Sequence, residues 1–247
     1  MLKIKNLTKE YGGTKVVDNL SLDLKEGVMF GFLGPNGAGK TTTMKIMIGL
    51  TDSSKGSVKI DELDSKTIKV KEQIGYMPED PYFYDHLTAL EFMNFMASLF
   101  KKKCHPERSE GSKDSSSVTQ NDSIINLLKT VGLNNVANKK IGYFSKGMKQ
   151  RLGLAQALVN DPKYIFLDEP LDGLDPIGRR EFKQILLGLK KKGKTIFFNS
   201  HILSDVEEIC DQIGIINEGK LIYSGSVKQF RGNKTLEDAF VDKLTKQ

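Results

Sequence analysis

Residues 28–47 read "VMFGFLGPNGAGKTTTMKIM", and the fold is decided in the middle of that stretch. "VMFGFL" (28–33) is a short, continuous apolar run, the pattern of a buried strand, and "KTTTMKIMIGL" (40–50) carries apolar residues at helical spacing. Between them "GPNGAGKT" (34–41) fits G-x-x-x-x-G-K-[ST], in the strand-to-helix context that a phosphate-binding loop needs. Gly34, Gly37 and Gly39 let the backbone curl so that successive N–H groups face phosphates, and the following helix adds its positive N-terminal end. Pro35, Asn36, Ala38 and Thr42 complete the loop; Lys40 is expected to reach the β- and γ-phosphates and Thr41 to ligate Mg²⁺.

Outward from the loop, "LKIKNL" and "KVVDNLSLDL" read as strands before it, and "GSVKI" and "EQIGYM" after it. From residue 88 to 160 the pattern turns helical ("TALEFMNFMASLF", "SIINLLKTVGL", "KGMKQRLGLAQALV"), which predicts an inserted helical subdomain. Within it, residues 104–122 are serine-rich with almost no apolar side chains, and are expected to be a disordered insertion. Strands and helices then alternate through "YIFLDEP", a helix after Pro176, "KTIFFNSH", a helix from Leu203, and a hairpin turning at Asn217-Glu218-Gly219. Such alternation predicts an α/β fold with a mainly parallel sheet, the whole chain 1–247 forming one domain.

"YIFLDEP" carries two acids out of a strand. Asp168 at the strand's end can hold Mg²⁺ through water, and Glu169, beside the γ-phosphate, can accept a proton from the attacking water or orient it. "FSKGM" (144–148) is a second anion-friendly helix start, with Ser145 as cap and Gly147 allowing close backbone approach.

Taken in order, these motifs resemble the nucleotide-binding subunit of an ATP-binding cassette (ABC) transporter, over almost the whole chain. "GPNGAGKTT" resembles its Walker A loop, "YIFLDE" its Walker B strand, "GLDP" (173–176, with Asp175) its D-loop, and "NSH" its switch histidine, His201. Tyr11 in "KEYGG" is similar to the aromatic residue that stacks on adenine. The resemblance implies a P-loop NTPase ABC cassette with a mainly parallel core sheet, an N-terminal antiparallel β subdomain and the inserted helical subdomain. It also implies ATP and Mg²⁺ as cofactors, and Ser145 and Gly147 closing over ATP held by a second cassette subunit. Two positions depart from the family. "FSKGM" sits where the family carries its Leu-Ser-Gly-Gly-Gln signature, and Lys146 and Met148 replace the glycine and glutamine, a form that resembles a branch paired with separately encoded, exporter-type membrane proteins. Glu79 in "GYMPED" stands where a glutamine normally approaches Mg²⁺ and the attacking water; a carboxylate can still ligate the ion and adds negative charge.

The chain has 247 residues, enough for a sizeable core, and a net charge of +6 spread over scattered lysines rather than gathered into a nucleic-acid patch. Cys104 and Cys210 form no metal-ligand or disulfide pattern, although His105 adjoins the first. No apolar run approaches the roughly 18 residues of a membrane span, and no signal peptide is apparent. The expectation is an ATPase on the cytoplasmic face of the membrane, driving a separate polytopic permease docked near residues 78–86, as a homodimer or heterodimer. Cargo and direction are not encoded here, with export favoured by resemblance. The alternatives are a cassette ATPase acting on nucleic acid or ribosomes, and a regulatory subunit that binds ATP without turnover. Against the first, this sequence shows one cassette and a short, helix-poor insertion rather than the tandem cassettes or long inserted modules typical of that class, so no nucleic acid is expected; the second is opposed by Lys40, Asp168, Glu169 and His201.

Overall fold

The computed structural model describes residues 1–100 and 120–245, and two sheets organise them. Strands β1 (Leu2–Tyr11), β2 (Thr14–Leu24), β4 (Lys55–Ile60) and β5 (Leu63–Asp64) form an antiparallel sheet in the order β2-β1-β4-β5. The second sheet is built from β3 (Met29–Leu33), β6 (Ile74–Met77), β7 (Tyr164–Asp168), β8 (Thr195–Ser200), β9 (Gln212–Asn217) and β10 (Lys220–Ser226). Its order is β10-β9-β3-β8-β7-β6, parallel throughout except for the β9–β10 hairpin. That hairpin turns on Glu218 and Gly219, both with positive φ (48° and 77°), between the paired residues Asn217 and Lys220.

Every residue of β3, β7 and β8 is buried, because a parallel sheet has both faces covered. Alternate side chains serve two cores. Phe30, Phe32, Phe166 and Phe197 face the antiparallel sheet and helix α1 (Lys40–Met47), with Phe197 in ring contact with the other three. Met29, Leu33, Ile165, Leu167, Ile196 and Phe198 face the other way. There they meet α6 (Pro176–Lys191), α7 (Leu203–Ile209) and the helices within 88–160: α3 (Ala89–Leu99), α4 (Gln120–Thr130) and α5 (Lys146–Ala157). Three short or peripheral helices complete the described chain: α2 (Ile68–Lys71), α8 (Val227–Arg231) and α9 (Leu236–Thr245).

Local chemistry sets the helix starts. Thr88 and Glu91 form a reciprocal capping box on α3; Ser145 caps α5 through Met148 N–H at 3.2 Å; Asp175 caps α6 through Gly178 N–H at 2.6 Å with Pro176 as its first residue. The insertion read at 104–122, with Cys104 and His105, lies outside the described residues as far as 119. Its last residues differ from expectation: α4 begins at Gln120, with Asp122 in its first turn and Asn121 accepting a hydrogen bond from Asn94 at 2.9 Å. An acid is favourable there against the positive end of the helix, which composition alone did not reveal.

Helix α5 is held against the sheet at Gly75 of β6, where an added Cβ would lie 2.0 Å from the Ala157 carbonyl oxygen. Gly75→Ala therefore forces strand and helix apart. It is expected to lower stability by about 1–3 kcal/mol, and the melting temperature by about 2–4 °C for each kcal/mol in a chain of this size. Thermal denaturation followed by circular dichroism checks this, and an unchanged midpoint would mean that α5 recedes from β6 without cost.

Candidate active site

The parallel strands all end on one edge, and the chemistry gathers there. Register pairs Leu33 of β3 with Ser200 of β8, and Asp168 of β7 with Asn199 of β8. The loop after β3, the two acids of β7, the end of β8 and the turn after β6 thus meet outside the carboxyl ends of the strands, where open α/β sheets bind ligands. The resulting cleft has a volume of about 460 Å³ and is lined by Asn36, Gly37, Gly39, Lys40, Thr41, Thr42, Glu79, Glu169 and His201, together with Val16 and Asp172.

Gly39 starts α1 at φ 103°, and a Cβ there would meet the Val16 carbonyl oxygen at 2.5 Å, so the loop passes under β2 only with glycine at this position. Lys40 is 7% exposed; its ammonium donates to the carbonyls of Gly34 (2.8 Å) and Pro35 (3.2 Å) and stands 3.9 Å from Glu169 Oε1. Burial lowers the Lys40 pKa from its ordinary value, opposed by Glu169, Asp168 and Glu79. Thr41 Oγ1 donates to Asp168 Oδ1 at 3.1 Å, and Asn199 Nδ2 donates to the same oxygen at 2.7 Å. Glu169 has φ 47°, a conformation that costs energy for a residue with a side chain. Its Oε2 accepts from the His201 backbone N–H at 3.2 Å and from His201 Nδ1 at 2.9 Å. Since a carboxylate only accepts, Nδ1 carries the proton in this contact.

The other expected residues fall into two groups. Ser145, Gly147 and Asp175 lie away from this cleft and together line a separate concavity of about 520 Å³ between the start of α5 and the start of α6. Lys146 and Asp172 join the two regions through an ion pair of 3.3 Å. Tyr11 ends β1 half exposed, with the Lys9 ammonium 4.6 Å above its ring, and does not line the cleft; Val16 does. Asn199 and Asp172 were missed by sequence reasoning. Asn199 had a signal, a polar residue interrupting the apolar run "IFFNSH".

Among the described residues no three His, Cys, Asp or Glu side chains form a metal site of their own. Two oxygen-bearing side chains on adjoining elements, the Thr41 hydroxyl and the Asp168 carboxylate, do fit Mg²⁺, which usually takes one or two protein oxygens and completes its shell with phosphate and water. Glu79 is exposed on the cleft wall. Its pKa is raised, first by partial desolvation and then by Asp168, Glu169, Asp80 and Asp172.

A carboxyl whose pKa is higher in the folded than in the unfolded state loses stability for the fold as pH rises through both values. Glu79→Gln is therefore expected to raise the melting temperature of the ligand-free protein at pH 7.5. The gain is about 1–2 °C, small because solvent screens so exposed a charge, and it vanishes below about pH 4, where the group is neutral in both states. Paired melts at the two pH values test it; equal midpoints at pH 7.5 would mean that the neighbouring acids do not act on Glu79.

The sequence profile of the ABC transporter family matches residues 17–172, which include the glycine loop and both acids. The uncharacterized ABC transporter ATP-binding protein sll0415 of Synechocystis is 45% identical over 87% of this chain, and the chain spans only 57% of that relative's length. The lantibiotic transport ATP-binding protein SrtF of Streptococcus pyogenes is 38% identical over 99% of this chain and 97% of its own. A solved dimeric structure of the ATP-binding cassette MJ0796, in a post-hydrolysis state bound to ADP and Pi, superposes with a TM-score of 0.77 at 26% identity, covering 92% of this chain and 99% of that one. With the family profile spanning more than half of its length, this chain belongs to the ABC transporter family.

Proposed function

We propose that this chain binds and hydrolyses ATP in the 460 Å³ cleft as one of two cassette subunits, and that it powers a separate permease from the cytoplasmic face of the membrane, in the direction of export. The observation that carries the reading is the convergence of Lys40, Thr41, Asp168, Glu169 and His201 from three strand ends onto one cleft. A role in transport is supported by the similarity to SrtF, a lantibiotic transport ATP-binding protein, and export by the likeness of "SKGMKQR" to exporter-type cassettes. Among the described residues no helix is long and apolar enough to cross a membrane, so transport requires a separate spanning partner or segment.

The residues divide the work. Backbone N–H groups of the loop take the phosphate oxygens, and the Lys40 ammonium exchanges its carbonyl partners for the β- and γ-phosphates. Mg²⁺, held by Thr41 and through Asp168, supplies charge neutralisation of the phosphates when bound. Glu169 is the base: His201 holds Oε2 twice, which leaves Oε1 to take the proton of the attacking water. For His201 to donate from Nε2 to the γ-phosphate while Nδ1–H stays on Glu169, its ring must be protonated. Glu79 is placed by resemblance toward the metal. Tyr11 as an adenine platform requires that its ring be covered by the base on the face that Lys9 leaves open.

The separation of the two concavities supports a pair of subunits in which the signature of one closes over the nucleotide of the other. Ser145, Gly147 and Asp175 contribute nothing to the cleft of their own chain, and their concavity, walled by two helix N-termini, suits the nucleotide of a second subunit. The dimeric, ADP- and Pi-bound form of MJ0796 is the arrangement this proposes for the present chain. The permease docks beside it at residues 78–86, where Tyr82 and Tyr84 are exposed and pack edge to face.

Two measurements test the reading. Lys40→Ala is expected to abolish tight MgATP binding in calorimetry, since charge-assisted hydrogen bonds to the phosphates contribute about 1.5–3 kcal/mol each; unchanged affinity in the folded variant would place the nucleotide elsewhere. Glu169→Gln is expected to bind ATP, turn over very slowly and accumulate as a dimer by light scattering, with Ser145→Arg added to it restoring the monomer. A Glu169→Gln dimer that tolerates Ser145→Arg would remove the signature helix from the interface.

A further inference from the structure

The last residues of β8 and the residue just past them grip the two acids at the end of β7, and only one of the two grips belongs to the family machinery already described. His201 holds Glu169. Two residues earlier, within the strand, Asn199 holds Asp168, its register partner across the parallel ladder. Asn199 is fully buried, and the rest of its strand up to that point is Thr195, Ile196, Phe197 and Phe198, so a carboxamide there carries a desolvation cost that an aliphatic side chain would not.

The geometry shows what the carboxamide does. Nδ2 donates to Asp168 Oδ1 at 2.7 Å, with the Met44 sulfur 3.9 Å away on its other side. The carboxamide oxygen is buried and has no hydrogen-bond partner among the described residues. Turning the amide over would set that oxygen 2.7 Å from a carboxylate oxygen, two acceptors face to face, so the side chain has one workable orientation and uses it to donate. Thr41 donates to the same Asp168 oxygen, and neither donor touches Oδ2.

We propose that Asn199 is a positioning residue for the divalent cation: by binding Oδ1 it locks the Asp168 carboxylate in the rotation that turns Oδ2 toward the metal and its water shell. The inference rests on the reading of Asp168 as the acid on the metal side. Thr41 cannot fill this role alone, because its hydroxyl oxygen is itself called to the cation. Asn199 reaches Asp168 from the sheet and does not line the cleft. It acts on the metal as the partners behind a ligand do in other metal sites, through orientation rather than contact.

The test separates metal from nucleotide. Affinity for a fluorescent ATP analogue is measured in EDTA and in Mn²⁺, and the ratio of the two reports the contribution of the cation. Asn199→Leu, with Asn199→Val in parallel so that a folded variant is in hand, is expected to leave the EDTA affinity unchanged and to reduce the ratio by about 10–100-fold, the range seen when such supporting partners are removed. A residue needed only for folding would lower the melting temperature and leave the ratio alone, and a ratio within twofold of the parent in either folded variant overturns the proposal. Asp168→Asn is the reference arm. A fall in its ratio without one in the Asn199 variants rejects Asn199 alone, whereas an unchanged ratio in Asp168→Asn rejects the metal-side reading of Asp168 and the inference with it.

Discussion

A single carboxylate oxygen ties the site together. Asp168 Oδ1 accepts from Thr41 at the start of α1 and from Asn199 at the end of β8, so the glycine loop and two neighbouring strands are fixed to one atom. Asp168 is 2% exposed, and a carboxylate so buried is tolerated only where donors replace its water. The parallel register makes those donors available, since it lays strand ends side by side and sets Asp168 opposite Asn199. Shift β8 by one residue and the side chains change faces: Asn199 would enter a core, and the acid would lose its firmest partner.

The charge balance of the cleft follows from the same crowding. Glu79, Glu169 and Asp172 line it against the ammonium of Lys40, with Asp168 just beneath. A polyphosphate entering this space adds negative charge to a wall that already carries a surplus. Lys40 cannot offset it alone, and burial already weakens its hold on its proton. Under the proposed function, the oxygens of Thr41 and Asp168 are therefore where added positive charge is required, and electrostatics as well as ligand type favour a divalent cation beside the nucleotide. Glu79 in place of an amide deepens the surplus, and its raised pKa reflects that crowding.

What the sequence disclosed was what residue type alone can carry. Continuous apolar runs gave away β3, β7 and β8, and a glycine loop between strand and helix announced itself by pattern. The acids and the histidine were legible because each follows such a run. The two-residue strand β5 and the short helices α2 and α8 escaped, being too brief to show periodicity, and α9 was passed over although its apolar spacing is helical. Asn199 escaped for another reason: its partner is 31 residues away in sequence, and only the register of two parallel strands brings them together. Tyr11 is the opposite case, matched by motif in the sequence and standing outside the lining of the cleft.

Lys146 gives the two concavities of the chain a common element. It stands on the signature side, Asp172 lines the nucleotide cleft, and their ion pair of 3.3 Å crosses from one to the other. The ammonium lies over Gly173, where a Cβ would come within 1.9 Å of Nζ, and the φ of 64° at that glycine gives the chain the bend that lets the lysine pass. Both side chains are near half exposed, so the pair adds little to stability. Its consequence is local: the pair holds the Lys146 side chain across the bend at Gly173, on the boundary between the two concavities.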